Sequence, residues 1–275
     1  MSQIKSWNKL SISADSSVLE NISAYFKDIM LGIEQSETSW SLFFNIDDRE
    51  KVSNILLELN NHYNFKNSPI EVVNYDDWHL KWKDNFHPII FGKKLIIIPD
   101  WDNNKYSQDH TVKIKPGMSF GTGHHETTSL MIEALLNADI NDKKVLDLGF
   151  GSGILSIISK KLGSDNITSI ELDEICRGDI QFNMDLNSIS DGINIYFKDA
   201  RLLADYNYDI ILANIEKNII MDLIPLIKVK NSKVILSGIL TEQEKEVNNE
   251  LLDEGFINIS ITKENEWACF TADFC

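Results

Sequence analysis

A chain of 275 residues with 42 acidic and 26 basic side chains has a formal charge of −16, which argues against binding nucleic acid through a phosphate backbone that needs clustered Lys and Arg. At 43% apolar and 25% charged residues, the composition excludes disorder as the main state and provides for one or two buried cores. Three widely spaced cysteines make no disulfide framework, the start carries no apolar signal region and no apolar run could span a bilayer, so the expectation is a cytoplasmic protein without a membrane partner.

In chain order, residues 1–66 read as a small α+β domain. Leu10 and Ile12 alternate with polar neighbours, as in a half-buried strand. Asp15 is placed to cap a helix whose stripe is Val18, Ile22, Phe26 and Ile29. Trp40, Leu42, Phe44 and Ile46 alternate as a second strand. Asp47 and Glu50 have capping-box spacing ahead of a helix with Val52, Ile55, Leu56 and Leu59 on one face. Ile70 to Val73 is a further strand. This succession predicts a split βαβ, ferredoxin-like sandwich. No polar cluster converges in it, so it is a binding module or a structural appendage.

Residues 67–92 read as a linker region with a helix over Asp76 to His87, ended by Pro88. Strands at Lys94–Ile98 and Thr111–Ile114 lead into a glycine-rich loop. From Lys143 onward, strands and helices alternate: strands at Lys144–Leu148, Ile167–Ile170, Ile193–Phe197, Asp209–Ala213 and Lys233–Leu236, with helices between them. Apolar strands in repeated βα units predict a doubly wound, mostly parallel sheet. Phe256–Ile261 and Trp267–Ala272, five residues apart, predict an antiparallel hairpin.

Three motifs carry chemistry. In the first, Asp147 lies near the end of a strand and Gly149, Gly151 and Gly153 follow as Gly-x-Gly-x-Gly before a helix. Glycines there admit positive φ, and the helix start offers free amides. Glu171 follows Gly149 by 22 residues, at the end of the next strand, where a carboxylate can grip ribose hydroxyls. A dinucleotide site wants Gly-x-Gly-x-x-Gly and a pyrophosphate, for which Asp147 is a poor neighbour. A carboxylate beside the turn suits the amino group of a methionine moiety, which favours S-adenosylmethionine over NAD.

The second motif is the loop from Lys115 to Thr128, whose glycines, hydroxyls and Phe120 could form a lid over a ligand. His124, His125 and Glu126 are contiguous and lack the i, i+4 spacing of a helical metal pair, so no metal is expected. The third is the apolar strand ending in Asn214, an amide at the ligand crevice of such sheets or simply a turn former. Asp199 is another acid at a strand end, read either as a cofactor contact or as a solvated turn.

Together these pieces resemble the ribosomal protein L-eleven methyltransferase family (PrmA). The likeness runs through Asp77-Trp78, Trp82 to Pro88, the loop Pro116 to Thr128, Val145 to Gly153, Ala213-Asn214-Ile215 and Leu236 to Leu240. It implies a substrate-recognition domain over 1–66, a linker helix over 67–92 and a class I, Rossmann-like methyltransferase domain over 93–275. It further implies S-adenosylmethionine contacts at Thr128, Gly149, Glu171 and Asn214, a covering aromatic at Phe120, and Asn214 as the residue nearest the chemistry. Asp147, Gly151 and Asp199 join this set from the residue reading. The implied substrate is ribosomal protein L-eleven, modified on lysine and N-terminal amines by a monomer. Phe150 and Glu171 depart from the family, which usually has a small residue and Asp. The Ile-Glu after Asn214 departs from the Pro-Pro of glutamine and DNA methyltransferases. Methylation of another protein or a small molecule is the alternative, with a non-catalytic cofactor-binding module behind it.

Overall fold

The computed structural model describes residues 6–14, 16–27, 29–35, 39–60, 62–74, 86–117 and 119–275. The chain divides into two units, Met1–Phe86 and His87–Cys275.

In the first unit β1 (Ser6–Ser13) is followed by α1 (Ser16–Tyr25), β2 (Met30–Gln35), β3 (Ser39–Asn45), α2 (Arg49–Leu59), β4 (Lys66–Asn67) and β5 (Glu71–Asn74). The sheet order is β2-β3-β1, with β4 and β5 both antiparallel to β1 on its other side. Alternation turns Leu10, Ile12, Leu42 and Phe44 inward, where Leu19 and Ile22 of α1 and Val52, Leu56 and Leu59 of α2 meet them. β2 was not anticipated: Gly32 sits at a register shift against β3, which breaks the alternation a strand normally advertises. The helical stripe stops earlier than expected, because α1 ends at Tyr25 and leaves Phe26 and Ile29 in the turn beyond it. The Asp47–Glu50 capping box does not form. A 3-10 turn over Ile46–Asp48 precedes α2, and the residue at its N-cap, Asp48, makes no side-chain cap bond. Asp15 and the expected helix around residues 76–85 lie outside the described residues.

The second unit begins with a three-stranded sheet, β6 (Ile89–Phe91), β7 (Leu95–Pro99) and β8 (His110–Ile114). Then come α3 (Glu126–Leu136), β9 (Lys144–Leu148), α4 (Ile154–Lys161), β10 (Asn166–Glu171), α5 (Cys176–Leu186), β11 (Ile193–Phe197), β12 (Ile210–Asn214), α6 (Lys217–Leu223), β13 (Ser232–Leu240), α7 (Glu244–Asp253), β14 (Ile257–Glu264) and β15 (Trp267–Phe274). The seven-stranded sheet runs β11-β10-β9-β12-β13-β15-β14. It is parallel from β11 to β13, and β15 enters antiparallel between β13 and β14. The expected hairpin is therefore present, spliced into the sheet through β15.

Both faces of the sheet are covered, as βα crossovers require. Val145, Ile167, Leu212 and Ile235 pack with Leu130, Met131 and Leu135 of α3, Ile154, Ile157 and Ile158 of α4, and Ile180 and Met184 of α5. Their strand neighbours Leu146, Leu148, Ile211, Ala213, Val234 and Leu236 pack with Ile220 and Leu223 of α6 and Val247 and Leu251 of α7. The strand order reverses between β9 and β12, which leaves a crevice at their carboxyl ends.

Candidate active site

Asp147 leaves β9 and Asn214 leaves β12 on either side of that reversal, with Leu212 of β12 paired to Asp147 in register. Residues two apart on a strand share a face, so Asp147 lies with Val145 and Asn214 with Leu212, towards α3 and α4.

The glycine turn after β9 is held from several directions. Gly149, Gly151 and Gly153 have φ of 77°, 51° and 81°, a region L side chains avoid. Protein fills the space where side chains would be. A Cβ on Gly149 would lie 2.2 Å from Ile215 Cγ2, and one on Gly151 would lie 2.5 Å from the Phe120 carbonyl oxygen. The lid loop is therefore laid directly on the turn: Ser152 N–H donates to the Phe120 carbonyl at 2.9 Å, and its hydroxyl donates to the Gly121 carbonyl. Buried Asn183 of α5 ties the two segments together. Its amide nitrogen donates to the Ser152 carbonyl at 2.9 Å, and its oxygen accepts from Lys115 N–H at 2.8 Å.

The three expected carboxylates have different surroundings. Asp147 is fully buried, and burial pushes it up to about 6, opposed by a hydrogen bond from Ser156 and reinforced by the nearby Glu171 charge. Ser156 Oγ donates to Asp147 Oδ2 at 2.5 Å, while Oδ1 has no partner. Glu171 accepts three backbone N–H groups, from Gly151 at 3.0 Å, Leu172 at 2.8 Å and Asp173 at 3.2 Å, so it bridges the ends of β9 and β10. Asp199 lies past the end of β11, with both oxygens taken by Arg201, which holds it at about 2. Arg201 also reaches Asp222 of α6 at 3.0 Å. Asp147, Gly149, Gly151 and Glu171 are thus gathered at one turn, whereas Asp199 belongs to a separate ion-pair group.

Asn214 donates to the buried Thr128 hydroxyl of α3 at 3.3 Å, and its Oδ1 is buried without a partner. Phe120 is half exposed and meets the His125 ring edge-on at 5.1 Å; His125 in turn meets Trp267 of β15 at 5.1 Å. The two histidines diverge. His125 caps α3, and His124 Nε2 lies 3.1 Å from the His87 carbonyl, with burial lowering its pKa. Phe150 is buried and packs edge-on against Phe197 at 5.6 Å, so its bulk enters the core.

Sequence reading missed Ser156, Ser169, Asn183 and Trp267. The signal for the serines was a hydroxyl where the pattern of an apolar helix and an apolar strand calls for an aliphatic side chain.

The set of acceptors fits a small ligand with a cationic and a hydroxylated end. Two buried oxygens, Asp147 Oδ1 and Asn214 Oδ1, face unmet hydrogen-bond demand at neighbouring strand ends. The chain is similar to several known proteins. The family model described as ribosomal protein L11 methyltransferase (PrmA) matches residues 5–274. A ribosomal protein L11 methyltransferase of Prochlorococcus marinus (strain MIT 9515) is 32% identical over 98% of both chains. One of Shewanella baltica (strain OS195) is 36% identical over 74% of this chain and 69% of its own. A crystal structure of ribosomal protein L11 methylase from Lactobacillus delbrueckii subsp. bulgaricus, 28% identical, superposes with a TM-score of 0.63 over 68% of this chain and 98% of that one.

Proposed function

The chain belongs to the ribosomal protein L11 methyltransferase family, and from that membership we propose an S-adenosylmethionine-dependent N-methyltransferase acting on lysine and N-terminal amines of ribosomal protein L11. The observation that carries the site is the pair of unpartnered buried oxygens, Asp147 Oδ1 and Asn214 Oδ1, at the strand reversal of a class I methyltransferase sheet. In this reading Asp147 and the glycine turn receive the methionine end of the cofactor. Glu171 receives the ribose and Phe120 covers the near side, while Thr128 steadies Asn214 and Asp199 stays with Arg201.

The bound cofactor supplies an electrophilic sulfonium methyl. The protein's part is to prepare the amine. A free lysine has a pKa of about 10.4, so it arrives protonated. A closed, dry pocket favours the neutral form. Asn214 Oδ1, held from behind by the bond from its Nδ2 to Thr128, is an acceptor able to orient the N–H bonds and leave the lone pair free. Positioning two reactants supplies most of the acceleration, and no general base is required.

The first unit is assigned to substrate recognition. Its strand order supports a ferredoxin-like sandwich. Among the described residues no helix is long and apolar enough to cross a membrane, in keeping with a cytoplasmic enzyme. The test is incubation with methyl-labelled cofactor and purified L11, read by intact-protein and peptide mass spectrometry. Methyl additions on L11 are expected. Label entering only small molecules or other proteins would favour the alternative.

A further inference from the structure

Ser156 and Ser169 form a two-hydroxyl chain that ends on Asp147. Both are fully buried, on α4 and β10. Ser169 pairs in register with Asp147 across the β10–β9 ladder, so the two side chains rise side by side on the face that α4 covers. Ser156 is the third residue of α4 and comes down onto both. Its Oγ lies 2.7 Å from Ser169 Oγ and 2.5 Å from Asp147 Oδ2. A hydroxyl has one proton. With Ser156 donating to the carboxylate, Ser169 must donate to Ser156, and the chain points one way. Ser159, one turn further along α4, instead donates to the Leu155 carbonyl of its own helix, as a buried helical serine commonly does. Ser156 is therefore set apart by its partner and not by its burial.

We propose that Ser156 and Ser169 are positioning residues: their chained hydroxyls fix the Asp147 carboxylate and occupy Oδ2, so that Oδ1 is the acceptor held for the ammonium end of the methyl donor. The proposal rests on the cofactor reading given above. Two observations and one physical argument converge on it. Oδ2 is engaged and Oδ1 is bare although buried. The two hydroxyls polarise one another in a low-dielectric setting, which strengthens the terminal bond to a charged acceptor. The carboxylate sits two residues before the first glycine of the turn, so its orientation bears on what the turn presents.

The experiment is calorimetric titration of the full chain with two ligands. S-adenosylhomocysteine carries the amino-acid end, and 5′-methylthioadenosine is a nucleoside thioether without it. Replacing Ser156→Ala is expected to weaken S-adenosylhomocysteine about tenfold, a loss of one oriented charge-assisted bond, and to leave methylthioadenosine within about twofold. Ser169→Ala is expected to move the same ligand in the same direction by less. It gives an independent arm should Ser156→Ala fold poorly, and thermal melting follows the fold of each. Equal losses for both ligands would make the serines ordinary packing groups, and unchanged S-adenosylhomocysteine affinity would remove the relay. A wild-type chain that binds neither ligand would bring down the cofactor reading and the relay with it, whereas wild-type binding with parallel losses in the variants overturns the relay alone.

Discussion

Asn214 ends an apolar strand with its amide nitrogen on Thr128 and its oxygen bare, which is the geometry of an acceptor held for something else. Asn214→Ala removes one positioning bond. Methyl transfer is expected to slow about tenfold to a thousandfold, if such a bond contributes about 1.4–4 kcal/mol in the transition state. Asn214→Asp keeps the shape but adds a charge that favours the protonated, unreactive amine, so it should lose turnover more than cofactor affinity. Single-turnover rates at saturating cofactor test both, and a wild-type rate in Asn214→Ala would take the residue out of the mechanism. Asp147 gives a prediction of a different kind. Its carboxyl is at about 6 in the fold against 3.8 free, so the native state holds the proton longer than the unfolded chain. Stability on this account falls as pH rises from about 4 to about 6, and the cost, up to about 3 kcal/mol, is fully present above that. Asp147→Asn is expected to flatten that slope, to raise urea resistance of the cofactor-free protein at pH 7 and to weaken cofactor binding. An unchanged slope would show that Asp147 ionises as freely as in water. Asp147, Asn214 and Glu171 were visible in the sequence because a polar residue closing an apolar strand stands out. Ser156 and Ser169 were not, because a small hydroxyl inside an apolar run looks like filler until the fold supplies its partner.

At the scale of elements, the glycine turn and the lid loop are one construction joined by Asn183. Asn183→Ala leaves the Ser152 carbonyl and the Lys115 amide without their partner, at about 1–3 kcal/mol for each group left unpaired. Both segments should loosen together. Hydrogen exchange is expected to quicken at Lys115 and across the 119–123 loop, and cofactor affinity to fall without any contact to the ligand being removed. Exchange unchanged in the loop would mean that the Phe120–Ser152 bond holds it alone. The elements that sequence reading found were those with a clean period. It missed α3 because Thr127, Thr128, Leu130, Met131, Ile132 and Leu135 are all buried, which leaves only a narrow polar stripe at Glu126, Ser129 and Glu133, and because its start merges with the preceding loop. It missed β6 because three residues after a proline are too few to show alternation. β13 runs on to Leu240 past its expected end through an irregularity at Ser237-Gly238, where a Cβ on Gly238 would lie 2.1 Å from the Ile215 carbonyl oxygen. That close approach sets the backbone beside Asn214, and nothing local in the sequence announces it.

At the scale of the molecule, the alternation of strands and helices was legible but the strand order was not, because pairing such as β12 with β9 is decided by residues far apart in the chain. The order matters, since it puts the reversal, and hence the crevice, between Asp147 and Asn214. The two units also keep separate accounts of their interior. Among the described residues, Leu10, Phe26, Phe44 and Val52 close a core made from the first unit, while the two cores of the second draw on residues beyond His87. A chain that begins near His87 therefore keeps every buried cluster of the described residues that supports the candidate site, and it is expected to melt cooperatively and to bind S-adenosylmethionine with nearly full-length affinity. Its methylation of L11 should nevertheless collapse, by a hundredfold or more if docking by the first unit contributes about 3 kcal/mol or more to productive encounter. The measurement is kcat/KM for L11 alongside a calorimetric Kd for the cofactor, each on truncated and full-length protein. Loss of both together would mean that the second unit does not fold alone. Retained cofactor binding with an undiminished rate on L11 would overturn the recognition role and move the docking surface to the second unit.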